Sequence, residues 1–162
     1  MGSIPEILAL IPSNCPDPKT SLRGDEMTGI EIVEQFFEAS MAGDMARAFA
    51  FFTDDIVYQN VPLPPDRGRK AVERTLGNFM KVVNHFDVKM HHIAERDGVV
   101  LTQRTDILRG PFLDLEFWCD GTFEIKGGKI AVWTDRFDVG QVTAQALASP
   151  ARKLLRRVGV LR

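Results

Sequence analysis

The sequence predicts an α+β domain in which N-terminal helices pack on one face of a curved antiparallel or mixed β-sheet, closing it into a cone around a deep apolar pocket. Three observations predict it. Apolar residues recur at helical spacing from about residue 30 to about residue 82, then switch to period two. Asp97-Gly98, Gly110-Pro111 and Gly127-Gly128 divide the second half as hairpin turns do. Helices followed by consecutive antiparallel strands segregate to one side of a sheet.

Each element has its own signal. Residues 1–25 hold four prolines among Ser, Asp and Lys and read as a flexible arm outside the core. The fold proper starts near Thr28. Ile30, Val33, Phe36, Phe37 and Met41 mark a first helix that stops at Gly43, and Asp44 caps a second carrying Met45, Ala48, Phe49 and Phe52. Asp55 to Gln59 reads as a short strand, and Val61-Pro-Leu-Pro-Pro65 excludes a regular element. A third helix over 69–82 places Val72, Leu76, Phe79 and Met80 on one side. Strands follow over about 86–95, 98–109, 113–125 and 129–138, with Gly121 marking a bulge or bend in the third. The expected divisions are an arm over 1–25, a cone domain over 26–146 and a basic amphipathic tail over 147–162.

Composition narrows the function classes. With 162 residues, 44% of them hydrophobic, the chain is long enough for one core of its own. A net charge of −2 and the lack of a basic stripe interleaved with aromatics argue against a nucleic-acid partner. Cys15 and Cys119 form no disulfide framework or zinc motif, and Cys119 reads as a core residue. The apolar stretch Ile4 to Ile11 has no basic residue before it and is broken by Pro5 and Glu6, so a cytoplasmic location is expected. The run Arg152 to Arg157 reads as a solvated amphipathic helix, membrane-surface contact being its alternative.

Side-chain alternation carries the chemistry. Tyr58 and Asn60 share one strand face, as do Arg104 and Asp106, and Asp135 lies in the row Ala131, Trp133, Asp135, Phe137. A carboxylate in an apolar row is costly without a partner. Arg104 is that partner, since a guanidinium fork can bridge two carboxylates at once. Desolvation then favours keeping one proton between the two acids, which yields one acid and one base. Such a site suits an epoxide, whose oxygen needs a proton and whose carbon needs a nucleophile. Tyr58 and Asn60 supply a hydroxyl and an amide to grip water. Phe79, Met80, Leu108, Phe117, Trp133 and Phe137 are the candidates to line the substrate pocket, and Phe36, Phe49, Phe112 and Phe123 supply core or lining. His85, His91 and His92 lack acidic or thiol ligands at metal spacing, so neither metal nor cofactor is expected.

Three motifs carry a resemblance. Val57-Tyr-Gln-Asn-Val-Pro-Leu-Pro-Pro65 with Gly68-Arg69, Arg104-Thr-Asp-Ile-Leu-Arg109, and Gly127 through Asp138 occur in the order seen in the limonene-1,2-epoxide hydrolase family. The similarity spans roughly Thr28 to Val139. It implies the cone fold shared with nuclear transport factor, scytalone dehydratase and ketosteroid isomerase, a homodimer, and one-step hydrolysis needing neither metal nor covalent intermediate. It further implies that Asp135 is the general base on a water that Tyr58 and Asn60 also hold, that Asp106 is the general acid, and that Arg104 bridges the two. The hairpin Gly110–Asp114 is shorter than in the limonene enzyme, Arg136 replaces an aromatic, and a basic tail follows. The expected substrate is thus a small apolar epoxide, terpene-, fatty- or steroid-like, opened by water to a vicinal diol. An isomerase or cyclase, or a non-catalytic binding module, on the same cone are the alternatives.

Overall fold

The computed structural model describes residues 27–157. The arm expected over 1–25, Cys15 within it, and the side chains of Arg152 to Arg157 lie outside what is described. The elements run α1 (Gly29–Met41), α2 (Met45–Ala50), β1 (Phe52–Val61), β2 (Asp66–Arg67), α3 (Arg69–Val82), β3 (His85–Arg96), β4 (Val99–Arg109), β5 (Asp114–Lys126), β6 (Lys129–Phe137) and α4 (Val139–Arg157). They form one six-stranded sheet in the order β2-β1-β6-β5-β4-β3. Pairing is antiparallel except between β1 and β6, which run parallel.

Local chemistry explains the helix starts. The Thr28 hydroxyl accepts from the Glu31 amide at 3.2 Å while the Glu31 carboxylate accepts from the Thr28 amide at 2.8 Å, a reciprocal capping box. Asp44 caps α2 by accepting from the Arg47 amide at 3.0 Å. The two meander turns at Asp97-Gly98 and Gly127-Gly128 each hold both residues at positive φ, as two-residue hairpins require.

Tertiary pairing overrides the sequence pattern in three places. Phe52, helical by spacing, instead opens β1: it pairs with Ile130 and is completely buried among Phe36, Phe49 and Trp133. β1 is therefore longer than the expected strand at Asp55 to Gln59. Asp66–Arg67 forms a short strand against Val57 and Tyr58 that no periodicity announces. Phe112 is 82% exposed, so it belongs to neither core nor lining.

The core lies between α1 and the concave face of the sheet, where Ile32, Val33, Phe36 and Phe37 meet Val100, Phe123, Ile130 and Trp133. The C-terminal helix closes the other end. β6 pairs with β5 only from Cys119 onward, which leaves the preceding backbone groups of β5 without a strand on that side. α4 fills the gap with side chains: Gln145 accepts from the Glu116 amide at 2.9 Å and donates to its carbonyl at 2.7 Å, and buried Ser149 accepts from the Asp114 amide at 3.0 Å. α4 is one helix from Val139 to Arg157, continuous across the expected division at 147. No helix among the described residues is long and apolar enough to cross a membrane.

Candidate active site

Arg104 is the largest completely buried side chain of the described chain, at 1% exposure, and it organises the site. Its Nε donates to Asp106 Oδ1 at 2.8 Å and its Nη2 to Asp106 Oδ2 at 3.3 Å. The same Nη2 donates to Asp135 Oδ2 at 2.7 Å, and Nη1 donates to the Thr102 hydroxyl at 3.1 Å. The guanidinium carbon stands 4.9 Å from the ring centre of Phe37. The expected bridge between the acids is therefore present, with every arm of the fork occupied.

Geometry explains why arginine is needed. Arg104 is on β4 and Asp135 on β6, so the side chain must cross β5, two interstrand spacings of about 4.8 Å each. It crosses at Gly121, which pairs with Thr102 on one side and Asp135 on the other. A Cβ there would lie 2.4 Å from Arg104 Nη1 and 2.5 Å from Thr102 Oγ1. Of the bulge or bend expected at Gly121, the bulge is not there: the register shift between β5 and β6 falls at Glu124/Ile125. Its function is to leave room for the guanidinium. Gly121→Ala is expected to lower stability by about 1–3 kcal/mol, as overpacking does, and to cut turnover at least about tenfold by displacing the fork. A thermal melt and a rate on the folded protein check both, and a variant as active as the parent refutes the crossing.

The remaining polar groups converge from β1 and β6. Parallel register sets Tyr58 beside Trp133 and Asn60 beside Asp135. Asn60 Nδ2 donates to the Tyr58 hydroxyl at 2.7 Å, which leaves the phenolic O–H free to donate elsewhere. Trp133 Nε1 donates to Asp135 Oδ1 at 2.8 Å, a positioning role beyond the lining role its spacing suggests. Burial raises the Asp106 carboxyl above the usual carboxylate range; Arg104 pulls it back and Asp135 pushes it up again. Burial opposes the charge on Arg104, but Asp135 and Asp106 outweigh it and hold the guanidinium ionised. Burial, then Asp135, keeps the Tyr58 phenol protonated.

Tyr58, Asn60, Asp106 and Asp135 face a cavity of about 230 Å³. Phe79, Leu108, Phe117, Trp133 and Phe137 line it as the sequence suggested. Met80 does not; it lines an adjoining space of about 40 Å³ against Phe36 and Met45, because it sits one step around α3 from Phe79. Arg104 lies behind the carboxylates and does not reach the cavity, which makes it a positioning residue. Val142 of α4 is a wall residue that strand and helix patterns up to Asp138 could not reveal.

Buried Cys119 sits close to the acid pair: its sulfur, an Asp106 oxygen and an Asp135 oxygen lie within 4.8 Å of one another. Three potential metal ligands are thus grouped, but the fit to a cation is poor. The carboxylate oxygens already accept from Arg104 and Trp133, and burial, followed by the Asp135 charge, pushes the thiol up so that it keeps its proton. On the opposite face of the sheet, His91 stacks on Trp118 at 4.8 Å and hydrogen-bonds Thr105 at 2.8 Å, remote from these acids.

Comparison with known proteins settles the family. Residues 27–148 match the family described as limonene-1,2-epoxide hydrolase catalytic domain. The chain belongs to this family. Membership makes it an epoxide hydrolase. It is 39% identical over 108 residues to "Epoxide hydrolase EphG" of Mycobacterium tuberculosis (strain ATCC 25618 / H37Rv), covering 66% of this chain and 71% of that protein. A solved M. tuberculosis LEH-like epoxide hydrolase is 34% identical and superposes with a TM-score of 0.72 over 79% of this chain and 96% of that one. A putative SnoaL-like polyketide cyclase from Shewanella denitrificans OS-217, 15% identical, has a TM-score of 0.69 over 74% of this chain and 97% of that one, and shows the shared cone fold alone.

Proposed function

We propose that this epoxide hydrolase opens an apolar, terpene-, fatty- or steroid-like epoxide in one step, with Asp135 as general base and Asp106 as general acid. One observation carries the reading: a single buried guanidinium holds two carboxylates against a mostly apolar cavity that Tyr58 and Asn60 also face. Asp135, Tyr58 and Asn60 hold a water in reach of the epoxide carbon. As the water oxygen forms its C–O bond, Asp135 takes one of its protons; the epoxide C–O bond breaks and Asp106 gives its proton to the departing oxygen. A proton returned from Asp135 to Asp106 resets the pair. The raised Asp106 carboxyl supports the acid role, since activity that needs its protonated form is lost only as pH rises through that raised value.

The test is a single turnover in oxygen-18 water over a panel of apolar epoxides. Label in the diol and none in the protein is expected, whereas label in Asp135 means an ester intermediate. Unlabelled rearranged product means isomerase chemistry instead. The homodimer that the resemblance implies belongs to the same reading, and a monomer in sedimentation at working concentration would remove it.

Pocket shape gives a specificity test. Truncation after Val139 would strip Gln145 and Ser149 from the β5 edge and cost stability along with lining, so a point change at Val142 is cleaner. Val142→Phe is expected to lower kcat/KM for bulky epoxides about tenfold more than for small ones, because the added ring occupies the wall that faces Leu115 and Phe117. An unchanged substrate profile would place the productive pose away from α4.

A further inference from the structure

The cavity that holds the acid pair has a polar lining residue that the proposed reaction leaves unused. Thr75 stands on α3, one turn before Phe79, and lines the same cavity. It is exposed, whereas Asp106 and Asp135 are buried, so Thr75 marks the mouth and the acids the deep end. Its hydroxyl also differs from the other hydroxyls inside the described helices. Ser40, Thr143 and Ser149 each donate to the carbonyl four residues back, at 2.8, 2.7 and 2.8 Å. The Thr75 hydroxyl makes no hydrogen bond to the described residues, which leaves its proton and its lone pairs available to a molecule in the cavity.

We propose that Thr75 is a specificity-determining residue, its hydroxyl at the cavity mouth hydrogen-bonding a second, neutral oxygen of the substrate, an alcohol or a carbonyl carried several bonds from the epoxide. The inference rests on the reading that this cavity takes the epoxide, and it narrows the substrate to an apolar body with an oxygen at its far end. The walls between mouth and acids are apolar, Leu76, Phe79, Leu108, Leu115, Phe117 and Val142 among them. Such walls accept hydrocarbon without fixing how far it enters or which end leads. A polar contact at the mouth supplies that second point of attachment. Charge then decides which oxygen fits. No Lys, Arg or His lines the cavity, and Arg104 lies behind the acids with its nitrogens already committed to Asp106, Asp135 and Thr102. A substrate carboxylate would lose water there without gaining a cation. A neutral oxygen costs far less to bring in, and a hydroxyl can donate to a carbonyl or exchange donor and acceptor roles with an alcohol.

The experiment compares the parent with Thr75→Val and Thr75→Ser, each checked for folding by thermal melt. Valine copies the shape of threonine without its hydroxyl, and serine keeps the hydroxyl without the methyl. The substrates are matched pairs of cyclic epoxides with a side arm of increasing length, ending in a hydroxyl in one member and in a methyl in the other. At the arm length that reaches the mouth, the preference in kcat/KM for the alcohol over its methyl partner should fall about three- to tenfold in the Val variant, the worth of one neutral hydrogen bond. The Ser variant should keep the parent preference. A contact remote from the epoxide holds substrate and transition state alike, so the loss should lie in KM rather than kcat. A merely structural threonine would change both members of a pair together. An arm ending in a carboxylate should be taken less well than the alcohol by the parent. A preference that Thr75→Val leaves unchanged at every arm length, or a parent that favours the carboxylate, would overturn the proposal. Calorimetric binding of the corresponding diols repeats the comparison without turnover, so it reads Thr75 even if the oxygen-18 test rejects the hydrolytic mechanism.

Discussion

Asp135→Asn is expected to cut turnover by about 10²- to 10⁴-fold, the contribution of a positioned acid or base, in a protein that still folds. The amide matches the carboxylate in shape but has one acceptor oxygen where two donors arrive, Trp133 Nε1 at 2.8 Å and Arg104 Nη2 at 2.7 Å. One donor therefore loses its partner, at a cost of about 1–3 kcal/mol. The kinetic loss should exceed what a lone base would give. Asp135 is one of the charges that raise Asp106, so removing it lowers the Asp106 carboxyl and depopulates the acid at the pH where the parent works. It follows that Asp106→Asn and Asp135→Asn are non-additive, the double variant being scarcely slower than the worse single one. Rates within tenfold of the parent for Asp135→Asn, measured on epoxide opening to diol, would take Asp135 out of the base role.

Much of the site was legible because strand side chains alternate between the two faces wherever no bulge intervenes. Once 98–109 and 129–138 were read as strands, the inward faces of Arg104, Asp106 and Asp135 followed from parity, and the cost of a lone buried acid pointed to the arginine. Parity says nothing of register between strands. That Gly121 falls opposite both Thr102 and Asp135, or Cys119 opposite Arg104, depends on how β4, β5 and β6 are slid along one another, which only the folded sheet decides. For the same reason the sequence offers Gly121 as a bulge or bend but not as the passage for a side chain, and shows Cys119 as the core residue it is without showing that its sulfur comes near both acids. The parallel pairing of β1 with β6 joins distant parts of the chain, and it alone brings the Tyr58–Asn60 pair to Asp135. Phe52 shows the converse: its helical spacing was real, but a fully buried place against Ile130 outweighs a local propensity of fractions of a kcal/mol.

Arg104→Lys is expected to lower turnover by about 10²-fold or more although the charge is conserved. Three nitrogens of Arg104 make four hydrogen bonds to three residues, and the fork is planar, so fixing Asp106 through Nε and Nη2 also fixes the direction from which Nη2 reaches Asp135. An ammonium is a single point with tetrahedral donors. It has to span β5 to touch Asp135, and from there it cannot also present two parallel donors to Asp106 on its own strand. The space over Gly121 that the guanidinium fills would be left partly empty, and buried acceptors at Asp106 or Thr102 would lose partners at about 1–3 kcal/mol each. A purely structural arginine would predict only that instability, with a normal rate for the folded fraction. The two accounts separate when kcat is measured well below the melting temperature and normalised to folded protein. A hundredfold deficit persisting there shows that orienting both carboxylates is part of catalysis, whereas a parent-like kcat in the folded Lys variant confines Arg104 to holding β4 and β6 together.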